Sequence, residues 1–467
     1  MVMPNPIGLQ KEVLALPDQG HFIILGTAGS GKTTMAIYRA RFLAGLKNGR
    51  VLFVTFNKAL VTYLQTIGKG YFDNIDVVNY HKFARGYLNS KGKMGRNCIV
   101  PAYSPRNWTK EEIVFKAIEA VKASSGYHGN LFREEESFYL EEINSIQKLG
   151  LYNLQEYLES YSKNVTENVE KQLIFDIFQQ YLWFRQSIGY KYDFEDIAQF
   201  VLEELIVDST PRRYTHVIID EGQDLSPIMI KSLINAVPNY GSVSYFGDVA
   251  QQIYSGSFSW RDAGFRNYRK WMFEQNYRNT KEIAELALKI SESTYYSDIP
   301  DMVTPKFPKA EGPKPVLIKC LNTDELDFIS NSVNNFSKNE TVGILVRNRE
   351  QVQLVITELR NKGLFCIELS GEMNHWVEDP CIYVGTIHSA KGLEFDLVYL
   401  AFCESYNYPH EEKLKLTNSY EIACRDEVKL LYVGVTRAKR GLFITYTHEL
   451  TELLPPNIDN VYQEEQI

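Results

Sequence analysis

Eight consecutive residues near the N-terminus, Gly26-Thr27-Ala28-Gly29-Ser30-Gly31-Lys32-Thr33, have the types and spacing of a loop that wraps phosphate. Glycines let successive backbone N–H groups line a concave turn, and a following helix adds the positive end of its dipole. In this reading Lys32 reaches the β- and γ-phosphates and Thr33 places its hydroxyl on Mg²⁺. Gly29, Ser30, Gly31, Lys32, Thr33 and Thr34 are therefore the expected nucleotide-binding residues, with ATP and Mg²⁺ as the expected ligands.

A phosphate loop needs an acid to hold the metal and a group to polarise water. Asp220-Glu221 supplies both at the end of the apolar run His216-Val217-Ile218-Ile219. Asp220 is the expected metal ligand with Thr33, and Glu221 the expected base. Gln251, after the run Tyr245-Phe246-Gly247, stands where a γ-phosphate sensor would sit. Arg278 in Asn276-Tyr277-Arg278 and Arg437 in Val435-Thr436-Arg437 could each offset charge that develops during phosphoryl transfer. Taken singly, either arginine reads as a structural residue, and only their company changes that.

These residues need parallel strands to carry them, because open α/β sheets bind ligands beyond the carboxyl ends of their strands. Phe22–Leu25 reads as the strand before the loop and Met35–Leu46 as the helix after it. Further strands are expected at Val316–Lys319, Val342–Val346, Ile382–Thr386, Leu397–Ala401 and Leu442–Ile444. Gln351–Lys362 reads as a helix, Phe365–Leu369 as a strand and Pro300–Pro315 as an irregular connector. With 467 residues, 44% hydrophobic and 23% charged, the chain has apolar mass for several cores. No apolar run is long enough to span a bilayer and no leader is read at the start, so a cytoplasmic location is expected. The six cysteines show no CxxC pairing, which argues against zinc and iron–sulfur sites. A net charge of −8 means that a nucleic acid would have to be held in a local groove rather than by a basic surface.

The order of the segments GTAGSGKT, LFVTFNKAL, VVNYHKFA, YDFEDI, VIIDEGQD, FGDVAQQIY, QNYRN, GTIHSAKGLEF and LLYVGVTRAK resembles the UvrD/Rep-type superfamily 1A DNA helicases over nearly the whole length. The resemblance implies an α/β fold of two RecA-like P-loop NTPase cores, parallel sheets flanked by helices, with one helical insertion in the first core. It implies ATP in the cleft between the cores and single-stranded DNA across their top. Position by position, Tyr277 is similar to the aromatic that stacks on adenine, Glu394 to the acid at the ribose, and Arg278 and Arg437 to the arginines at the γ-phosphate. Gln251 matches the residue that couples nucleotide to DNA. Gln10 is the candidate for reading adenine, and Gly392 belongs to the same nucleotide set. Gly222 stands where many members have alanine, a change expected to be harmless.

For DNA, stacking aromatics and backbone contacts along a groove are the usual grip. Phe56 with Asn57, His81, Phe194, Trp260 with Arg261, and His388 are the expected contacts. The expected domains are a first core at 1–83 and 190–274, a helical insertion at 84–189 similar to the family's 1B domain, and a second core at 275–467. The family's second accessory domain, 2B, is expected to be absent, because only Asn348–Ile382 joins the motifs that flank it. The resemblance implies an ATP-dependent 3′→5′ translocase or helicase that would use a 3′-tailed duplex. The alternative is an ATP-gated regulatory subunit of a repair or phage-defence complex, with a partner nuclease or repair protein.

Overall fold

The structure is a computed structural model. It describes residues 5–55, 61–62, 74–101, 108–162, 165–248, 259–296, 306, 308–321, 324–336, 339–370, 380–411, 413–414 and 419–467.

From the N-terminus, α1 (Leu9–Leu14) leads into β1 (Gly20–Gly26), α2 (Lys32–Ala44), β2 (Val51–Thr55), β3 (Ile75–Asn79) and α3 (Tyr80–Ser90). A helical stretch follows, with α4 (Lys110–Ser125), α5 (Glu136–Leu149), α6 (Leu154–Glu159) and α7 (Asn168–Ser187). The chain then forms α8 (Ile197–Val207), β4 (His216–Ile219), α9 (Pro227–Asn235), β5 (Ser242–Gly247) and β6 (Arg269–Phe273). The remainder is α10 (Lys281–Ser291), β7 (Val316–Lys319), α11 (Glu325–Phe336), β8 (Val342–Val346), α12 (Arg349–Asn361), β9 (Cys366–Glu368), β10 (Ile382–Thr386), β11 (Phe395–Leu400), α13 (Tyr420–Val435), β12 (Ala438–Tyr446) and β13 (Gln463–Gln466).

Two sheets result, ordered β3-β2-β4-β5-β1-β6 and β13-β7-β12-β11-β8-β10-β9. Among the described residues, every strand pairing within them is parallel. Parallel sheets need helices on both faces, so their central strands read as continuous apolar runs. Here β2, β4, β5 and β8 are buried throughout. In β1, Phe22 and Ile24 join Met35 and Ala36 of α2 on one face, whereas Ile23 and Leu25 join Leu52, Val54 and Ile219 on the other. The cluster holding Phe22 continues through Ile283 and Leu286 of α10 into Leu345, Val398 and Leu442 of the second sheet. One apolar core thus passes through both sheets.

α4 to α7 close around a core of their own, with Ile113, Ala117, Ile118 and Val121 buried against Tyr139, Ile143, Ile174 and Phe178. Thr109 and Glu112 form a reciprocal capping box at the start of α4, and left-handed Gly126 ends it. α3 runs unbroken through the expected boundary between Phe83 and Ala84, and its Leu88 still packs in the first sheet's core.

Element edges moved where backbone geometry outweighed apolar spacing. α2 starts at Lys32 rather than Met35, because left-handed Gly31 (φ 82°) caps it directly from the loop. α12 starts at Arg349, set by an Asn348–Gln351 capping box. From β8 to β10 the chain passes through residues 347–381, with α12 and β9 as the described elements. Residues 371–379 of the expected loop Ser370–Cys381, and 300–305 and 307 of the proline connector, lie outside the described residues.

Candidate nucleotide and nucleic-acid site

The Gly26–Thr33 loop leaves the carboxyl end of β1 and becomes the N-terminus of α2, whose first N–H groups have no partner within the helix. Side chains crowd its glycines from outside. A Cβ on Gly31 would come within 2.7 Å of Gln10 Nε2, and one on Gly29 would collide with Asn276 and Arg278. The Gln10 amide donates to the Ser30 carbonyl at 2.9 Å and accepts from the Ile7 N–H at 3.1 Å. The Lys32 ammonium donates to the carbonyls of Gly26 (2.9 Å) and Thr27 (2.8 Å) and lies 3.7 Å from Asp248. Burial lowers its pKa, against the pull of Asp248 and Glu221.

Asp220 and Glu221 follow β4, and Glu221 takes a left-handed backbone (φ 51°) that turns the chain sharply. Burial, then the Glu221 charge, pushes the Asp220 carboxyl up to about 7 despite a hydrogen bond from Thr33. Burial acts upward on Glu221 too, but Lys32, Arg437 and Lys391 outweigh it and hold Glu221 below the usual carboxylate range. Burial and their mutual repulsion thus drive the two adjacent carboxyls apart, Glu221 held low and Asp220 raised.

Mg²⁺ is the metal such a site implies, and Asp220 with Thr33 fits it. Asp220 Oδ2 is buried without a hydrogen-bond partner, as are the hydroxyls of Thr27 and Ser30 in the loop. Such orphaned groups are costly unless something completes them. Among the described residues no group of three or more His, Cys, Asp or Glu gathers as a metal cage, and all six cysteines are free thiols. A small set of protein oxygens beside substrate phosphates suits Mg²⁺ better than an all-protein cage.

The second sheet brings its own charges to this place. Arg437, at the turn from α13 into β12, is almost fully buried. Its guanidinium donates to the carbonyls of Val433 (3.0 Å) and Leu393 (3.3 Å) and to the Thr436 hydroxyl (3.2 Å). Burial, then the Arg278 charge, pulls its pKa down to about 10. Arg278 grips Glu394 with two contacts, at 3.0 and 3.3 Å, and Lys439 lies 3.8 Å from the same carboxylate. Burial would raise Glu394, but Arg278 and Lys439 hold it low. Gly392 adopts φ 79° in the turn before Glu394. The Tyr277 ring is half exposed, while its N–H donates to the Gly29 carbonyl at 2.9 Å.

Several functional neighbours escaped the sequence. Gln223 donates to Glu221 at 2.5 Å and accepts from the Asp248 N–H at 2.9 Å, tying the ends of β4 and β5 together. Asp224 forms a buried ion pair with Lys391 of the second sheet's motif; burial lifts its carboxyl to about 6 against that lysine. Asn276 donates to Asn279 at 2.8 Å, and Asn279 donates to the carbonyls of Thr436 and Ala438. The polar letters of the GQD and QNYRN segments were the available signal; their partners lie too far along the chain to be read from spacing.

Gly222 corrects an expectation. A Cβ there would come within 2.2 Å of the ring of Tyr245, and that ring is pinned edge-on by Trp260 at 5.0 Å and Phe265 at 6.1 Å. Alanine at 222 is therefore not a neutral exchange in this chain.

Of the expected nucleic-acid contacts, Phe56 and Asn57 lie outside the described residues, as does Gln251. His81 and Phe194 come together: their rings meet edge to face at 5.6 Å, His81 Nε2 is 3.2 Å from the Phe194 carbonyl oxygen, and Phe194 is 42% exposed. Trp260 packs among Tyr245, Phe265 and Tyr268, with Arg261 exposed beside it. Burial, with Arg347, Lys391 and Lys413 nearby, drops His388 to about 3. Its ring is neutral at physiological pH, so it can offer an N–H but not a charge.

Two parallel sheets carrying a phosphate loop on one and a buried arginine, Arg437, on the other form the two-core RecA-like architecture. The UvrD/REP helicase N-terminal domain family matches residues 8–277, and the UvrD-like helicase C-terminal domain family matches residues 367–449. The chain belongs to the UvrD-like helicase family. It is 23% identical over 380 residues to a probable DNA helicase II homolog of Mycoplasma capricolum, covering 73% of this chain and 49% of that protein. Over 61 residues it is 39% identical to the ATP-dependent DNA helicase PcrA of Staphylococcus aureus, 13% of this chain and 8% of PcrA. The C-terminal domain of a possible DNA helicase from Lactobacillus plantarum WCFS1 matches 40% of this chain and 98% of its own length, at 20% identity and a TM-score of 0.30. The chain spans half or less of the length of the curated relatives it matches. No described helix is long and apolar enough to cross a membrane.

Proposed function

We propose that this chain is an ATP-driven motor that moves along single-stranded DNA in the 3′→5′ direction, with Lys32, Asp220, Glu221, Arg278 and Arg437 as its hydrolytic set. One observation carries the reading: the loop and acids of the first sheet and the arginine of the second are electrostatically coupled, Arg437 acting on Glu221 and Lys391 on Asp224. Glu221, held anionic, accepts the proton of the attacking water, while Gln223 fixes its carboxylate. Thr33 and Asp220 would hold Mg²⁺, which when bound would neutralise charge on the phosphate oxygens. Arg437, anchored on its own sheet by Val433, Leu393 and Thr436, brings positive charge to the acid of the first sheet, which would link hydrolysis to the relative position of the sheets. Tyr277 offers its free face to the base, and Gln10 holds the loop from behind.

Two states of the cleft with unequal grip on DNA then ratchet the track. His81 and Phe194 form the first sheet's stacking step, and His388 serves the second as a neutral donor. The proposed division is 1–83 with 190–274, 84–189, and 275–467. The test is ATP turnover of the purified chain alone, with single-stranded DNA, and with single-stranded RNA. Strong stimulation by DNA, followed by preference for 3′-tailed over 5′-tailed duplexes, is the expected result. Turnover indifferent to nucleic acid would refute a motor.

A further inference from the structure

The helical stretch α4–α7 takes no part in the site above, yet it carries a formed groove of about 600 Å³ between α4 and the start of α5. Phe115, Ile118 and Phe132 line it, and Glu134, Glu135 and Glu136 stand along one rim. Phe115 and Ile118 lie three residues apart on α4 and so share a face. Ile118 is buried, whereas Phe115 is left 46% exposed. The stretch completes its own core without Phe115, so folding alone does not account for a phenylalanine at the mouth.

The walls are held in place. The Phe132 ring meets Tyr127 edge to face at 6.0 Å, and Tyr139, at the back, donates its hydroxyl to the Leu131 carbonyl at 2.5 Å. A pocket fixed beforehand loses little entropy on binding. Its rim is anionic. Glu134, Glu135 and Glu136 are exposed, and no salt bridge is formed by them among the described residues. The nearby cations are Lys122, 3.9 Å from Glu119 on the same helix face, and exposed Arg133.

We propose that this groove docks a protein segment bearing one aromatic or large aliphatic side chain flanked by lysines or arginines. The apolar anchor enters between Phe115 and Phe132, and the flanking cations meet the three glutamates. A buried anchor with a charged surround is the usual division between affinity and specificity in peptide recognition. The same carboxylates repel a phosphate backbone, so this face of α4–α5 is a protein surface and not part of the DNA track. Peptide binding at this groove is measured without turnover, so it stands apart from the hydrolytic site.

The experiment is selection of random twelve-residue peptides displayed on phage against the whole purified chain, followed by anisotropy titration of the winners as labelled synthetic peptides. Expected are winners with an aromatic or large aliphatic centre and basic flanks. Their affinity should fall on the order of tenfold both in Phe115→Asp and in the combined Glu134→Lys, Glu135→Lys, Glu136→Lys chain. Both variants alter exposed side chains, and each should stay folded with DNA-stimulated turnover intact; the rim reversal, which puts lysines at the N-terminus of α5, should lower the unfolding temperature only slightly. Failure to select that pattern, or winners indifferent to both variants, overturns the proposal. So does competition by single-stranded DNA, which would make the groove a nucleic-acid site, or self-association abolished by the rim reversal, which would make the occupant a second copy.

Discussion

Gly222 and Tyr245 act as one unit, since the ring occupies the space a β-carbon would need. Gly222→Ala should cost about 1–3 kcal/mol in denaturant unfolding and reduce turnover, because Glu221 precedes it directly. Stability unchanged would mean that the ring relaxes freely. Arg437 is held by three acceptors, so truncation would confound chemistry with folding. Arg437→Lys keeps the charge but loses the planar fork; turnover should drop about a hundredfold or more with nucleotide affinity nearly unchanged. Equal losses in both would place Arg437 in binding instead. Phe194 and Trp260 make a contrasting pair. Phe194→Ala should weaken single-strand affinity by about 1–3 kcal/mol without lowering stability, whereas Trp260→Ala, removing a ring packed on three others, should cost about 2–4 kcal/mol of stability. The reverse pattern would exchange their roles.

At the scale of elements, the joint between the helical stretch and the first sheet is polar and buried. Asp193, just before α8, accepts from Tyr181 of α7 (2.5 Å), Gln147 of α5 (2.9 Å) and Lys110 of α4 (3.0 Å). Arg185 of α7 reaches both Asp193 and Asp196, and Asp196 is raised to about 7 by burial and by Asp193 despite that arginine. Breaking such a network from one side leaves charge stranded in low dielectric. Arg185→Met should therefore destabilise the chain by about 3–5 kcal/mol in urea unfolding, and replacement without measurable loss would show that the acids are reached by water. The segment Tyr192-Asp193-Phe194-Glu195-Asp196 thus has two jobs: Asp193 and Asp196 anchor three helices, which leaves Phe194 outward beside His81.

For the whole molecule, the apolar core that passes from β1 and α2 through α10 into the second sheet predicts that the two sheets unfold together. The core of α4–α7 is separate. Hydrogen exchange in rising urea should release both sheets at one denaturant concentration and the helical stretch at another. A magnesium nucleotide at about a hundred times its Kd should stabilise the sheets as a unit, by about 2.7 kcal/mol. Release of the sheets at two well-separated concentrations, with nucleotide shifting only one, would contradict a shared core.

The phosphate loop, the Asp220-Glu221 pair and the strands that carry them were legible in the sequence because their signals are local: a glycine turn, an apolar run, a polar residue at its end. Val316–Lys319, Val342–Val346 and Ile382–Thr386 fall where apolar runs placed them. Helix starts were less legible, since Gly31 and Asn348 set them through backbone angle and capping rather than periodicity. Pairings distant along the chain left no local trace. That Asp224 meets Lys391, that Asn279 holds the turn at Arg437, that Trp260 is packed by three rings and that Gly222 makes room for Tyr245 were decided by tertiary structure. The sequence determines which groups can do chemistry, because composition and spacing fix their type and local backbone. Only the packing of the two sheets decides which of them share a buried site, and burial in turn sets their charge.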